Sequence, residues 1–306
     1  MSRRSLPLLT TLLVATAALA AVAPARSEAR AKLVIGVAEQ KPALFADPRF
    51  RALRISHVRR DVAWDALRTG WERAELDHWM AAAHAAGVQP LITFDHSRHR
   101  GRTKILPSVK QFAAQFRAIH RRYRWVKEFS TWNEANFYGQ RASRRPDLIA
   151  RYYKTIKHAC RSCKVLGADL LDVSGMTGWV KRFVHVAGQP RYWGLHNYVT
   201  ANRFQTGGTR ALLRAVRGQV WLTETGGLVA RRNHSKIKLP QGTAHAAKVD
   251  HFVFSRLVKI SRRITRAYLY QWNAVTRHDS WDSALVGPDG RARPALAVLQ
   301  KALRAR

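Results

Sequence analysis

Eight short β-type runs recur along this chain, and a helical pattern follows at least seven of them. The runs cover residues 33–39, 55–64, 89–96, 126–134, 164–171, 192–198, 219–226 and 267–273. The segments between them carry apolar residues at helical spacing. In 73–87, for example, Leu76, Trp79, Met80 and Ala83 share one face, and Gly87 supplies a stop. Strict alternation of strand and helix favours a parallel sheet, since parallel neighbours need a long crossover connection. Eight such units in roughly 250 residues is the count of a closed (β/α)8 TIM barrel, an α/β fold. An open doubly wound sheet would want a glycine-rich phosphate turn after the first strand, and "GVAEQKPALF" (36–45) is not one. The expectation is one barrel domain over residues 31–306.

The segment before it reads as a targeting signal. Arg3 and Arg4 make a basic start, residues 6–23 are almost wholly apolar, and "AVAPA" (21–25) offers small-residue cleavage sites after Ala23 or Ala25. The expected signal peptide is 1–25, with an uncleaved membrane anchor as the alternative. No later stretch is apolar enough to span a bilayer, so no stable membrane insertion is expected after cleavage. A secreted or cell-envelope location follows. Export implies an oxidising compartment, so Cys160 and Cys163 are expected to form a disulfide. Their C-x-x-C spacing also suits redox or zinc chemistry. Zinc would need two more ligands, and no further cysteine exists.

Lys and Arg outnumber Asp and Glu 54 to 19, a net charge of +35. This reads either as attraction to an acidic polymer or lipid surface, or as a solvated, arginine-biased exterior. Nucleic acid would also suit the charge, but export argues against it, and none is expected as a partner.

Chemistry in a TIM barrel sits at the C-terminal ends of its strands. Glu134 closes the fourth run within "TWNEANFY", and Glu224 lies near the end of the seventh in "WLTETGG". Strands four and seven stand on roughly opposite sides of a narrow barrel mouth, so the two carboxyls can face each other across a bound bond. Polar and aromatic residues gather at the same rim: Arg59 precedes Trp64 at the end of strand two, Asp95 and His96 end strand three, and Asn133 sits beside Glu134. His196 and Tyr198 end strand six, and Trp272 ends strand eight. Amides, hydroxyls and imidazoles bind sugar hydroxyls, and a flat indole such as Trp272 stacks on a sugar face. The histidines read as hydrogen-bonding groups; "HSRH" (96–99) has a ligand spacing but no flanking carboxylate cluster, so no metal is expected.

The pairing of "WNE" on strand four with "TET" on strand seven resembles the clan of retaining (β/α)8 glycoside hydrolases that includes cellulases and β-xylosidases, of the family 5 or 39 type. "LHNY", "YQW" and the tail "SALVGPDGRARPAL" are similar to its sugar-site and closing segments, and the likeness spans roughly residues 33–300. The resemblance implies Glu134 as acid/base and Glu224 as nucleophile. It implies Asn133 on the sugar 2-hydroxyl, Arg59 supporting the nucleophile and Tyr198 orienting it. It also implies a poly- or oligosaccharide substrate and no cofactor. Many members carry Pro after the acid/base residue, where this chain has Ala135. A non-catalytic cell-wall or glycan-binding protein on the same barrel is the alternative.

Overall fold

A computed structural model describes residues 32–232, 236–274 and 276–305. The expected signal segment, 1–25, lies outside the described residues. In chain order the elements are β1 (Val34–Ala38), α1 (Pro48–Ala52), β2 (His57–Ala63), α2 (Gly70–Ala85), β3 (Gln89–Asp95), α3 (Val109–Arg122), β4 (Glu128–Ser130), α4 (Pro146–Ala159), β5 (Lys164–Leu171), α5 (Met176–Ala187), β6 (Tyr192–His196), α6 (Tyr198–Ala201), α7 (Gly207–Ala215), β7 (Gln219–Thr225), β8 (Ala230–Arg231), α8 (Thr243–Ser255), β9 (Ile264–Tyr270), β10 (Trp281–Asp282) and α9 (Pro294–Arg304). Strands β1 to β7 and β9 form a closed parallel barrel, sealed where Val34 to Ala38 pair with Arg266 to Tyr270. The expected (β/α)8 architecture is the observed one. Short β8 and β10 pair with each other outside it, antiparallel.

Alternation along each strand builds two layers. Ile35, Val37, Val58, Ile92, Phe129, Val165 and Leu222 join the large cluster shared with the helices. Fully burying such a side chain contributes roughly 1.5–3 kcal/mol, so this outer layer carries most of the stability. Helix α3 shows how a helix docks there. Ser108 and Gln111 form a capping box at its start, and Phe112, Phe116 and Ile119 line the buried face. The inner cluster is small: Ala38, Leu91, Leu166, Trp221 and Tyr268. Below it, Arg266 lies 3.8 Å over the Trp221 ring and bonds Glu128. The rest of the interior is polar and opens toward the strand ends.

Two strand boundaries differ from the sequence reading. The eighth barrel strand begins at Ile264 and ends at Tyr270, so Gln271 and Trp272 follow it rather than end it. Arg266 interrupted the apolar run, yet it points inward as the partner of Glu128. The fourth strand has only three ladder residues, Glu128–Ser130. Cys160 terminates α4, and it is joined to Cys163 just before β5, with Cα atoms 5.4 Å apart. The expected clip at a helix–strand corner is present.

Candidate active site

Arg59 organises the barrel mouth. Its side chain is fully buried and reaches across from β2. Nη1 donates to Glu224 Oε1 at 2.6 Å, and Nη2 donates to Asn133 Oδ1 at 2.7 Å and Asp169 Oδ2 at 2.8 Å. Asp169, on β5, also accepts from Thr93 and Ser130. Burial disfavours its charge, but Arg59, His196 and Ser130 together hold the carboxyl well below the usual range. Only glycine fits opposite: a Cβ at Gly194 would stand 1.9 Å from Asp169 Oδ1. Sequence reading missed Asp169. Its signal was a lone carboxylate inside the otherwise apolar "KVLGADLL".

Glu134 does not belong to the β4 ladder, contrary to the sequence expectation. The flanking backbone fixes it: Asn133 N donates to Phe94 O at 2.7 Å, and Ala135 N donates to Asp169 O at 3.0 Å. Between these anchors Glu134 adopts φ 44°, left-handed for a residue with a side chain. Such a conformation costs on the order of 1–3 kcal/mol and persists where neighbours impose it. Here it turns the carboxyl away from the strand direction and into the cleft.

The third strand end supplies His196, fully buried on β6. Its Nδ1 lies 3.1 Å from Glu134 Oε1 and 3.7 Å from Glu224 Oε2. One ligand atom from each of these three groups falls within 4.8 Å of the others. Burial opposes charge on the ring, but Glu224, Asp169 and Glu134 push its pKa up to about 10. Tyr198 opens α6 and donates to Glu224 Oε2 at 3.2 Å. That short helix is held at both ends. Asp172 accepts from Val199 N, Thr200 N and the Thr200 hydroxyl, and Asn202 donates to Tyr198 O and to Gly226 O. Burial pushes Asp172 up to about 6 despite these bonds.

The cleft above these groups is about 830 Å³, within the usual range for a ligand site. Asp61, Asn133, Glu134, Asp172, Tyr198 and Glu224 line it, with Phe137, Tyr138, Arg231, Tyr270 and Trp281 as walls. Burial, reinforced by Asp95 and Glu224, pushes Asp61 up to about 6, against the pull of Arg59. Asp95 stands behind the cleft, accepting from Asn133 Nδ2 at 3.2 Å and bonding His96 Nδ1 at 2.8 Å.

Two expected sugar contacts are corrected. Trp272 is 0% exposed; its indole donates to Asp47 Oδ2 at 2.9 Å and its ring packs edge-on against Phe50. Trp64 is 1% exposed and belongs to the outer core. Both follow strand ends, where parity no longer holds, and the chain turns each indole outward. The tryptophan that does line the cleft, among the described residues, is Trp281, whose ring meets Tyr198 edge-on at 4.6 Å. It sits 11 residues beyond β9, where strand periodicity gives no indication of direction.

The Glu134–His196–Glu224 group has metal-type donors. Its donors are already engaged within the chain, Glu224 by Arg59 and Glu134 by the His196 ring. The other such group among the described residues, His120 with Cys160 and Cys163, has its two sulfurs joined to each other.

No family model matches the chain, and no curated protein matches it by sequence. Solved structures do match. The chain is similar to one of two fungal β-1,4-galactanases, at 14% identity and a TM-score of 0.67, over 89% of this chain and 100% of that one. It is similar to a GH39 β-xylosidase from Caulobacter crescentus, at 14% identity and a TM-score of 0.64, over 92% and 73%. A third match is a family 39 glycoside hydrolase from the gut symbiont Bacteroides cellulosilyticus WH2, at 15% identity and a TM-score of 0.57, over 90% of this chain and 64% of that one. At these identities the likeness establishes the fold: a single (β/α)8 barrel of the kind these glycoside hydrolases share.

Proposed function

We propose that this chain is an exported glycoside hydrolase that cleaves a poly- or oligosaccharide with retention of configuration. The observation that carries the reading is the Glu134–Glu224 pair, with carboxylate oxygens within 4.8 Å of each other at the mouth of this barrel. Retaining pairs stand about 5–5.5 Å apart, whereas inverting pairs stand about 6.5–9.5 Å apart to admit a water. Glu224, bonded to Arg59 and Tyr198 and 8% exposed, is the nucleophile. Glu134, with its side chain 28% exposed, is the acid/base. In the first step Glu224 Oε attacks the anomeric carbon, the glycosidic C–O bond breaks, and the leaving oxygen takes a proton from the Glu134–His196 hydrogen bond. In the second, Glu134 removes a proton from water, which displaces Glu224 and releases the sugar with its original configuration. Asn133, fixed by Arg59 and Asp95, is placed to meet a ring hydroxyl.

Export rests on residues 1–25, with the mature chain beginning after Ala23 or Ala25. The surplus of surface cations is read as attraction to an acidic envelope polymer.

The test is a panel of neutral and acidic glycans, with released sugars followed by NMR. Product with retained anomeric configuration is expected on at least one glycan. Tight binding without product on every glycan would favour the non-catalytic reading of the same barrel.

A further inference from the structure

Asp61, Glu134, Asp172 and Glu224 line the cleft, with Asp95 close behind. Against them stands Arg231, the one cationic side chain among the described residues that line it. The ribbon β8–β10 builds this wall. Trp281 pairs with Arg231 across it, and Val229 N donates to Asp282 O at 2.8 Å while Arg232 N donates to Ser280 O at 2.9 Å. The guanidinium lies 5.5 Å from the Trp281 ring centre and donates to Ile237 O at 3.1 Å. This stacking and hydrogen bonding fix its orientation, so little side-chain entropy is left to lose on binding a ligand. Trp281 is itself tied down by its indole bond to Ser283 Oγ at 3.0 Å and by the edge contact with Tyr198.

Arg231 and Trp281 line the cleft together with both carboxylates, and Trp281 packs on Tyr198, the donor to Glu224. Tyr138, 85% exposed, and Phe137, edge-on to it at 4.9 Å, line the same cleft.

We propose that Arg231 and Trp281 form a subsite for a sugar residue bearing an anionic substituent, a carboxylate or a sulfate. Trp281 supplies an apolar platform for the ring, and the guanidinium supplies the planar fork that suits either anion. This rests on the glycosidase reading of the cleft and adds a substrate class to it.

The test uses the full-length Glu134→Gln protein, whose slowed turnover leaves the oligosaccharide intact during a binding measurement, as chromatography of the recovered ligand checks. Binding of uronate-containing and sulfated oligosaccharides is measured by calorimetry, alongside the same oligosaccharides after carboxyl reduction or desulfation. An acidic form is expected to bind about tenfold to a hundredfold more tightly than its neutral counterpart. Adding Arg231→Gln should remove that preference, and Arg231→Lys should retain part of it. Whether the carboxylate or the sulfate series shows the preference identifies the anion. Equal binding of acidic and neutral forms overturns the inference while leaving the glycosidase reading in place. So does an acid preference that survives Arg231→Gln, since it would come from the general surface charge. Loss of neutral binding along with acidic binding in Arg231→Gln overturns it too, making the arginine a support for Trp281. Failure of every oligosaccharide to bind overturns both the inference and the reading beneath it.

Discussion

The carboxylate-lined cleft at the barrel mouth and the grooves of the outer surface carry opposite charge. Four carboxylates, Asp61, Glu134, Asp172 and Glu224, line the cleft against one guanidinium, in a chain of net charge +35. The grooves between the outer segments show the reverse. One is lined by Arg141, Arg144 and Arg145, and its neighbour by Arg144, Lys181, Arg182 and His185, with Asp147 as the single carboxylate between them. Ions deep in the barrel mouth are partnered: Arg59 bonds Glu224 and Asp169, while Asp172 accepts three donors. A chain's net charge therefore says little about its active site. Desolvation forces the interior to balance its charges, and water relieves the exterior of that need.

Four sets of changes sharpen or break this contrast, and the largest effects belong in the cleft. Glu224→Gly is expected to abolish turnover on any confirmed substrate. Glu134→Ala should lower it about 10²–10⁴-fold, and less with activated leaving groups that need no proton. Steady-state kinetics on two leaving groups of different basicity measures both. Next is Arg59→Leu, which leaves Asp169 buried without its cation. Breaking a buried pair in this way costs about 3–5 kcal/mol, read as a lower Tm together with lost activity. A Tm within a degree of the parent would show that the buried network does not hold the mouth together.

The third concerns Asp250 on α8, which accepts from Gly227 N beyond Glu224. Burial pushes this carboxyl up to about 8. A raised carboxyl pKa means the folded state holds a proton that the unfolded state releases. Its contribution to stability therefore falls as pH rises from about 4 to 8. Asp250→Asn should remove that decline, with a gain of about 1–3 kcal/mol at pH 8 and little change at pH 4. Denaturant melts at the two pH values decide it; an equal effect at both would contradict the assignment. The smallest effect is expected outside. Arg141→Ser, Arg144→Ser and Arg182→Ser should each shift stability by no more than about 0.5 kcal/mol. They should leave turnover of a neutral glycan unchanged and weaken binding to an anionic polymer at low salt. If that binding does not weaken as salt rises toward 0.15 M, where screening acts within about 8 Å, the surface charge has no such role.

The barrel was legible from the sequence because its signal is repetition. Eight alternating units survive errors of a few residues at each boundary, as they did for β4 and β9. Much of the cleft was legible for a related reason. Asn133, Glu134, His196, Tyr198 and Glu224 lie at or near strand ends, the closed barrel brings those ends together, and Arg59 reaches them from within β2. What was not legible depends on loops. Trp64 and Trp272 turn away once the strand stops. Trp281 and Arg231 meet only because β10 pairs with β8 across 50 residues of chain. Asp169 was hidden by the register shift in β5 against β6: strict alternation from inward Leu166 would turn residue 169 outward, and the shift between them brings it to the inner face instead.

The division of labour between Glu134 and Glu224 is tested most directly by azide rescue of the two variants on one substrate. In Glu224→Gly, azide should enter the vacated space from the far face and give the glycosyl azide of inverted configuration. In Glu134→Ala, it should intercept the glycosyl-enzyme and give the azide of retained configuration. Opposite configurations from the two variants, assigned by NMR, are what this account expects. Full activity in Glu224→Gly without azide, or the same anomer from both variants, would contradict it.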